Sequence, residues 1–251
     1  MRFQGAKNVV RVAALGDIHF KLDSKGHFRE LFERVLQEAD VLLLCGDITH
    51  FGLTEEALLF IEEAARVLRE IPVLGVLGNH DFESGNEAAI HRMLSESGIA
   101  MFDGNSQKIY GIGFTGVKGF GGGFGARALQ PWGESAIKNF VQEVAAETQR
   151  LASGLSKLEP GPKIVMMHYS PIVGTISGEP AEVFPFLGSS ALEEPLNRFQ
   201  ATAVFHGHAH SGSFAGKTGA NIPVYNVSID VLKHHFPDRL PFFVLQVPVE
   251  S

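Results

Sequence analysis

The sequence holds a single cysteine, Cys45, inside an apolar run. That excludes an intramolecular disulfide and leaves a small buried core residue as the expectation. No apolar run approaches the roughly 20 residues that span a bilayer. The start, Met1-Arg2-Phe3-Gln4-Gly5-Ala6-Lys7-Asn8, lacks the apolar stretch and cleavage site of a secretory leader. A cytoplasmic protein with no membrane span is therefore expected. Excess positive charge is missing as well. The 21 Lys and Arg against 28 Asp and Glu give −7, which argues against a nucleic-acid surface. The Gly-x-Ser-x-Gly of serine hydrolases and the His-Glu-x-x-His of helical zinc sites are both absent. The glycine-rich stretch Gly119–Gly125 is not followed by Gly-Lys-Ser/Thr, so it is no Walker-type loop.

What is present is ordinary for a globular protein: 251 residues, 45% hydrophobic and 20% charged. No internal repeat, charged tail or interdomain linker stands out, so one domain over residues 1–251 is expected. Apolar runs alternate with helical stripes. Runs at Val9–Leu15, Val41–Cys45 and Ile71–Leu77 are followed by expected helices near His27–Ala39, Glu55–Glu70 and Asn86–Ser97. Thr54 is the expected N-cap of the second helix, with Leu58, Ile61, Ala65 and Leu68 on its apolar face. Lys108–Phe114 reads as one strand. A long helix over Ser135–Leu158 places Ile137, Phe140, Val141, Val144, Thr148, Leu151 and Leu155 on one side, before Pro160-Gly161-Pro162. The second half reads as strands at Ile164–Met167, Ala201–Phe205, Val224–Val227 and Phe242–Val247, with a helix near Ala191–Phe199. This rhythm implies a layered α/β fold with two sheets packed together and helices outside.

Five polar clusters follow five of the apolar runs. They are Asp17-Ile18-His19, Gly46-Asp47, Gly78-Asn79-His80-Asp81, His168 and Gly207-His208-Ala209-His210. Strands that each end in Asp, Asn or His share one rim, the carboxyl end of the sheet, where sites form in open α/β folds. Carboxylate, amide and imidazole gathered at one place are the donor set of a metal site. Asp17 and His19, two apart on an extended segment, would reach one ion. His208 and His210 could serve one metal or straddle two. Asp47 follows Gly46, which allows a sharp turn, and its carboxylate has lone pairs enough to bridge two cations. Asn79 offers a neutral amide oxygen, while His80, the next residue, points away from it toward a substrate. Asp81 is placed either to orient His80 or to support the turn.

In this combination and order, the residues resemble the calcineurin-like metallophosphoesterase superfamily: Asp-x-His, Gly-Asp, Gly-Asn-His-Asp/Glu, His, Gly-His-x-His. The resemblance runs from Asp17 to His210 and implies a four-layer α/β/β/α sandwich of two mixed sheets, with a two-metal site at the carboxyl-end rim. It implies one metal held by Asp17, His19, Asp47 and His210, and a second by Asp47, Asn79, His168 and His208. His80 would be the catalytic imidazole, with Asp81 as its partner. The implied reaction is in-line attack on phosphorus by a metal-bridging hydroxide. The ligand set tolerates Mn, Fe or Zn and does not choose among them.

The superfamily's protein phosphatases carry an arginine after the second motif and another before Gly-Asn-His. Here Gly46-Asp47-Ile48-Thr49-His50-Phe51-Gly52 and Leu77 stand instead. The Gly-Asp-Ile-Thr form looks more like small prokaryotic phosphodiesterases, including the class III cyclic-nucleotide type. A phosphodiesterase acting on a small-molecule or nucleotide ester is the leading reading, with a phosphomonoesterase as the alternative and a non-catalytic partner-binding scaffold as the second. A nuclease is disfavoured, because about 40 residues follow His210, too few for a DNA-binding cap, and the charge is negative. Oligomeric state is not legible. Gly119–Gly125 reads as a mobile surface loop, or as a substrate lip with Phe120, Phe124 and Trp132. His50 and Tyr169 adjoin motif residues and could line the pocket, and His206 could stand behind the ligands. His27, His91, His234 and His235 have no motif context.

Overall fold

The computed structural model describes residues 7–249. Strands β1 (Val9–Leu15), β2 (Val41–Cys45) and β3 (Val73–Val76) are almost wholly apolar and rich in valine. Strands of that makeup are buried on both faces and belong in parallel sheets between other layers. They pair in parallel with one another and with β4 (Ile99–Met101), while β11 (Phe243–Pro248) runs antiparallel along β1. The second sheet holds β5 (Ser106–Ile109), β6 (Ile112–Val117), β7 (Lys163–Met167), β8 (Ala203–His206), β9 (Ala215–Lys217) and β10 (Pro223–Asn226), in the order β5-β6-β7-β8-β10-β9. Its four inner strands are parallel and its two edge strands antiparallel. Both sheets are therefore mixed.

Helices α1 (Arg29–Glu38), α2 (Thr54–Glu70) and α3 (Glu87–Glu96) cover the outer face of the first sheet through Phe32, Val35, Phe60, Val67, Ile90 and Leu94. Val12, Leu43, Val76, Phe114, Met166 and Phe205 fill the space between the sheets. On the far side α4 (Ser135–Ser156) and α6 (Glu193–Arg198) pack on the second sheet through Leu151, Leu155 and Leu196. The short α5 (Phe184–Leu187) and α7 (Ile229–His235) lie in the connections. The result is the four-layer α/β/β/α sandwich. Among the described residues, no helix is long and apolar enough to cross a membrane.

Several local expectations are corrected. The packed stripe of α2 is Ala57, Phe60, Ala64 and Val67, one residue behind the expected one, and Leu58 is half exposed. Phe60 decides this register, because its ring meets Phe20 and Phe32, and burying a phenylalanine is worth about 1.5–3 kcal/mol. Thr54 lies inside the first turn and its hydroxyl goes to Glu55; Leu53 is the N-cap. The cap's work is done by Glu56, whose Oε2 accepts from the amides of His50, Phe51 and Leu53. The expected strand over 108–114 is a hairpin. Tyr110 and Gly111 both have positive φ, the geometry of a two-residue primed turn. The first turn of α4 stands clear of the sheet, leaving Ile137 exposed; Phe140 packs on Phe120 and Phe186, and the fully buried side of the helix begins at Val144.

Candidate metal centre

Strands β1, β2, β3, β7 and β8 deliver the five polar clusters to one rim. The loop after β1 lies alongside the loop after β2: the amides of Asp17, His19 and Phe20 donate to the carbonyls of Gly46, Asp47 and Ile48. The expected extended geometry of Asp17-x-His19 is not what brings the two side chains together. Asp17 and His19 both have left-handed backbone, with φ of 58° and 45°, as do Asp47 at 49° and His208 at 69°. Such conformations cost about 1–3 kcal/mol each and persist where the surroundings dictate them. Two glycines make room. A Cβ at Gly78 would overlap Asp47, and one at Gly46, where φ is +85°, would overlap the His168 ring.

The side chains form two groups that share Asp47. Asp17, His19, Asp47 and His210 each present one ligand atom within 4.8 Å of the others; so do Asp47, His168 and His208. Asn79 joins the second group, its Oδ1 being 2.8 Å from His168 Nε2. His208 and His210 thus divide between the groups. His208 turns Nε2 to the Phe186 carbonyl at 3.1 Å, leaving Nδ1 on the other side of its ring. His210 donates from Nδ1 to Asp230 at 2.9 Å and points Nε2 at Asp17, 3.2 Å away.

Lone pairs in this arrangement meet without a proton between them. His168 Nδ1 donates to the Cys45 carbonyl at 3.0 Å, so Nε2 carries no hydrogen in the neutral ring. It nevertheless faces two acceptors, Asn79 Oδ1 and, at 3.4 Å, Asp47 Oδ1. Burial pushes the His168 pKa well down, so an added proton does not resolve the contact. Asp47 Oδ2 is buried with no hydrogen-bond partner. Burial first, and then the charges of Asp17 and Asp81, raise the Asp47 pKa. For Asp17 burial acts upward, but the hydrogen bond from His210 and the neighbouring imidazoles outweigh it and hold the pKa low. His210 is correspondingly raised to about 9, chiefly by Asp17. Burial lowers His19 to about 4 and lowers His208 too, which keeps those imidazoles neutral and able to ligate. A cation in each group satisfies the facing lone pairs and the paired carboxylates together, so the residues fit a two-metal site.

His80 stands beside both groups. Its amide donates to Asp47 Oδ1 at 2.8 Å and its Nδ1 donates to the His50 carbonyl at 2.7 Å, leaving Nε2 free. Of the two roles open to Asp81, the structure shows support of the turn: it accepts from the amides of Gly78, Ile48 and Thr49 and from the Thr49 hydroxyl, and it is the His50 carbonyl that holds His80. His50 lies beside His19 and His80, and the Tyr169 ring is 4.3 Å from His208. His206 faces away, bonded to the Gly207 carbonyl and the Thr175 hydroxyl; burial lowers its pKa to about 4. Gly119–Gly123 is largely buried against Pro185, Phe186, Tyr169 and Ser189, so this stretch is packed framework and not a mobile loop, while Trp132 is exposed. Asp230 belongs to no motif in the sequence; only its place at the start of α7 brings it to His210.

The sequence profile described as calcineurin-like phosphoesterase matches residues 10–212. No curated protein matches by sequence. Among solved structures, the chain is similar to the phosphopantetheinyl hydrolase PptH from Mycobacterium tuberculosis, at 14% identity and a TM-score of 0.65, covering 93% of this chain and 95% of that one. It is similar to TT1561 of Thermus thermophilus, at 14% identity and a TM-score of 0.56, covering 96% and 100%. It is also similar to GAP50, the anchor in the inner membrane complex of Plasmodium, at 12% identity and a TM-score of 0.57, covering 90% and 73%. At these identities the likenesses concern the fold.

Proposed function

Because the chain belongs to the calcineurin-like phosphoesterase family, we propose that it is a two-cation phosphodiesterase whose ligands are Asp17, His19, Asp47 and His210 for one ion and Asp47, Asn79, His168 and His208 for the other. The observation that carries this reading is the pair of ligand groups sharing one buried carboxylate, Asp47. When bound, the two cations supply a water of lowered pKa and neutralise charge on the phosphoryl oxygens. The chain's own residues do the rest. Asp47 and Asn79 fix the spacing of the two groups. His80, oriented through Nδ1 by the His50 carbonyl, presents Nε2 to the leaving oxygen, and its imidazolium form, protonated on both nitrogens, donates the Nε2 proton to that oxygen and is left as the neutral ring.

One feature supports a diester over a monoester. No arginine follows Gly46-Asp47 or precedes Gly78-Asn79, so the motifs bring no guanidinium to grip a dianion.

The test is hydrolysis of bis(p-nitrophenyl) phosphate beside p-nitrophenyl phosphate by the chain stripped of metal and reloaded with Mn²⁺, with His80→Ala as control. Faster diester turnover that falls about 10²–10⁴-fold in the control supports the reading. Faster monoester turnover overturns the substrate class. Metal binding with no turnover of either ester supports the scaffold alternative.

A further inference from the structure

Aromatic rings form a continuous wall along one side of the metal centre. It begins at Phe82, the last residue of the 3₁₀ turn that starts with His80. The Lys118 ammonium lies 5.5 Å from the centre of the Phe82 ring, 4.7 Å from that of Phe120 and 5.3 Å from that of Tyr169. Phe120 packs on Phe140 at 4.8 Å, and Phe140 meets Phe186 edge-on at 6.3 Å. The wall ends at the second ligand group. There the Phe186 carbonyl accepts from His208 Nε2, and the Tyr169 ring is 4.3 Å from that of His208.

These rings are fixed from behind. The Lys118 carbonyl accepts the amides of His168 and Tyr169, which ties the wall to the end of β7. Buried Glu147 lies 3.5 Å from the Lys118 ammonium and accepts the Gly119 amide. The amides of Gly122 and Gly123 donate to the carbonyls of Pro185 and Gly188, on either side of Phe186. Yet Phe82 and Phe186 are 40% and 60% exposed. Exposed apolar side chains joined into one surface beside charged ligands mark a place that another group covers. The other side of the centre is different: His210 has the carboxylate of Asp230 behind it, and Glu179 binds the amide of Ser211 next to it. Because Glu147 matches the charge of Lys118, the wall offers rings and not a spare cation.

We propose that this wall is the subsite for one organic group of the ester, and that this group is a flat aromatic ring. The inference rests on the phosphodiester reading above and narrows its substrate class. A ring seated there lies on the side of the centre bounded by His80 and His208. The class follows from the lining: Phe82, Phe120, Phe140 and Phe186 offer stacked and edge contacts, which an aromatic partner matches beyond its apolar area and a saturated one does not. An aryl ester and a nucleotide both carry such a ring.

The experiment reads binding and not turnover. Methyl phenylphosphonate, methyl cyclohexylphosphonate and methyl methylphosphonate are monoanions that share one head and differ only in the group on phosphorus. Each is titrated by calorimetry into the whole Mn²⁺-loaded chain and into Phe82→Ala and Phe186→Ala, with thermal melts to check that the variants are folded. The phenyl compound should bind about 10-fold more tightly than the methyl one, and the ratio should fall to about 3-fold or less in each variant. Equal binding of the two by the wild type, an unchanged ratio in both folded variants, or no binding of the phenyl compound overturns the subsite. A cyclohexyl compound that binds as tightly as the phenyl one overturns the aromatic class. Thymidine 5′-methylphosphonate separates the two sources of the ring: binding tighter than that of the phenyl compound supports a nucleotide, and weaker binding supports an aryl ester. Repeating the titrations without Mn²⁺ keeps the two readings apart. Phosphonate binding that needs no metal contradicts the two-cation reading, while the phenyl-to-methyl ratio still decides the wall.

Discussion

Asp230 Oδ2 accepts a hydrogen bond from His210 Nδ1 at 2.9 Å, and the opposite nitrogen of the same ring faces Asp17. A carboxylate behind a ligating imidazole fixes its tautomer and orientation and raises its basicity. Asp230→Asn should therefore weaken binding of the first cation by about 10–100-fold, read as metal retained after dialysis. Turnover at saturating Mn²⁺ should change much less. Unchanged metal retention would show that Asp230 is only a surface acid near the site.

Asp81 is fully buried and accepts from four donors on the two loops that carry Asp47 and His80. Burial pushes its pKa up, and those hydrogen bonds oppose the shift. Asp81→Ala leaves three amides and a hydroxyl without a buried partner, which should destabilise the fold by about 3 kcal/mol or more. Denaturant unfolding measures it. Thr49→Val removes one donor and its partner bond, and should cost about 1 kcal/mol. Similar small losses for both would mean that water replaces the carboxylate easily.

Asp40 ties β1 to the end of α1. Burial alone would raise its pKa, but hydrogen bonds from the Arg11 guanidinium, Lys7 and the Arg11 amide outweigh that and hold it well below the usual carboxylate range. A carboxylate lowered in the folded state contributes stability above its unfolded pKa of about 3.9 and loses it as the pH falls through the folded value. Arg11 and Lys7 are partly exposed, so the contribution is about 1 kcal/mol. Asp40→Asn should lower the melting temperature by about 2–4 °C at pH 7, and the gap should close as the pH falls below about 4. A gap independent of pH would assign the effect to packing.

The layer order and the rim were legible because apolar runs followed by polar clusters encode buried parallel strands with exposed ends, and β1, β2, β3, β7 and β8 all read that way. Register was less legible. In α2 the expected stripe through Leu58 lost to the neighbouring one through Phe60, a choice made by rings from the loop after β1 and from α1 that no local pattern contains. The positive φ of Asp17, His19, Asp47 and His208 was also hidden, since it is imposed by loops pairing across the rim. The motif residues that the sequence singled out are brought together, but what surrounds them was not foreseen. Asp230 and Glu56 lie outside every motif, and His80 is held by a main-chain carbonyl, which leaves no trace in residue type.

That Asp47 joins two cation sites in a phosphoester hydrolase is tested most plainly by Mn²⁺ stoichiometry and diester turnover, measured on the same samples of wild type and Asp47→Ala. Two ions per wild-type chain are expected, with activity that rises as the second ion binds, and the variant should lose both the ion pair and turnover. Full activity in metal-free wild type, or two ions and normal turnover in folded Asp47→Ala, would refute the shared carboxylate.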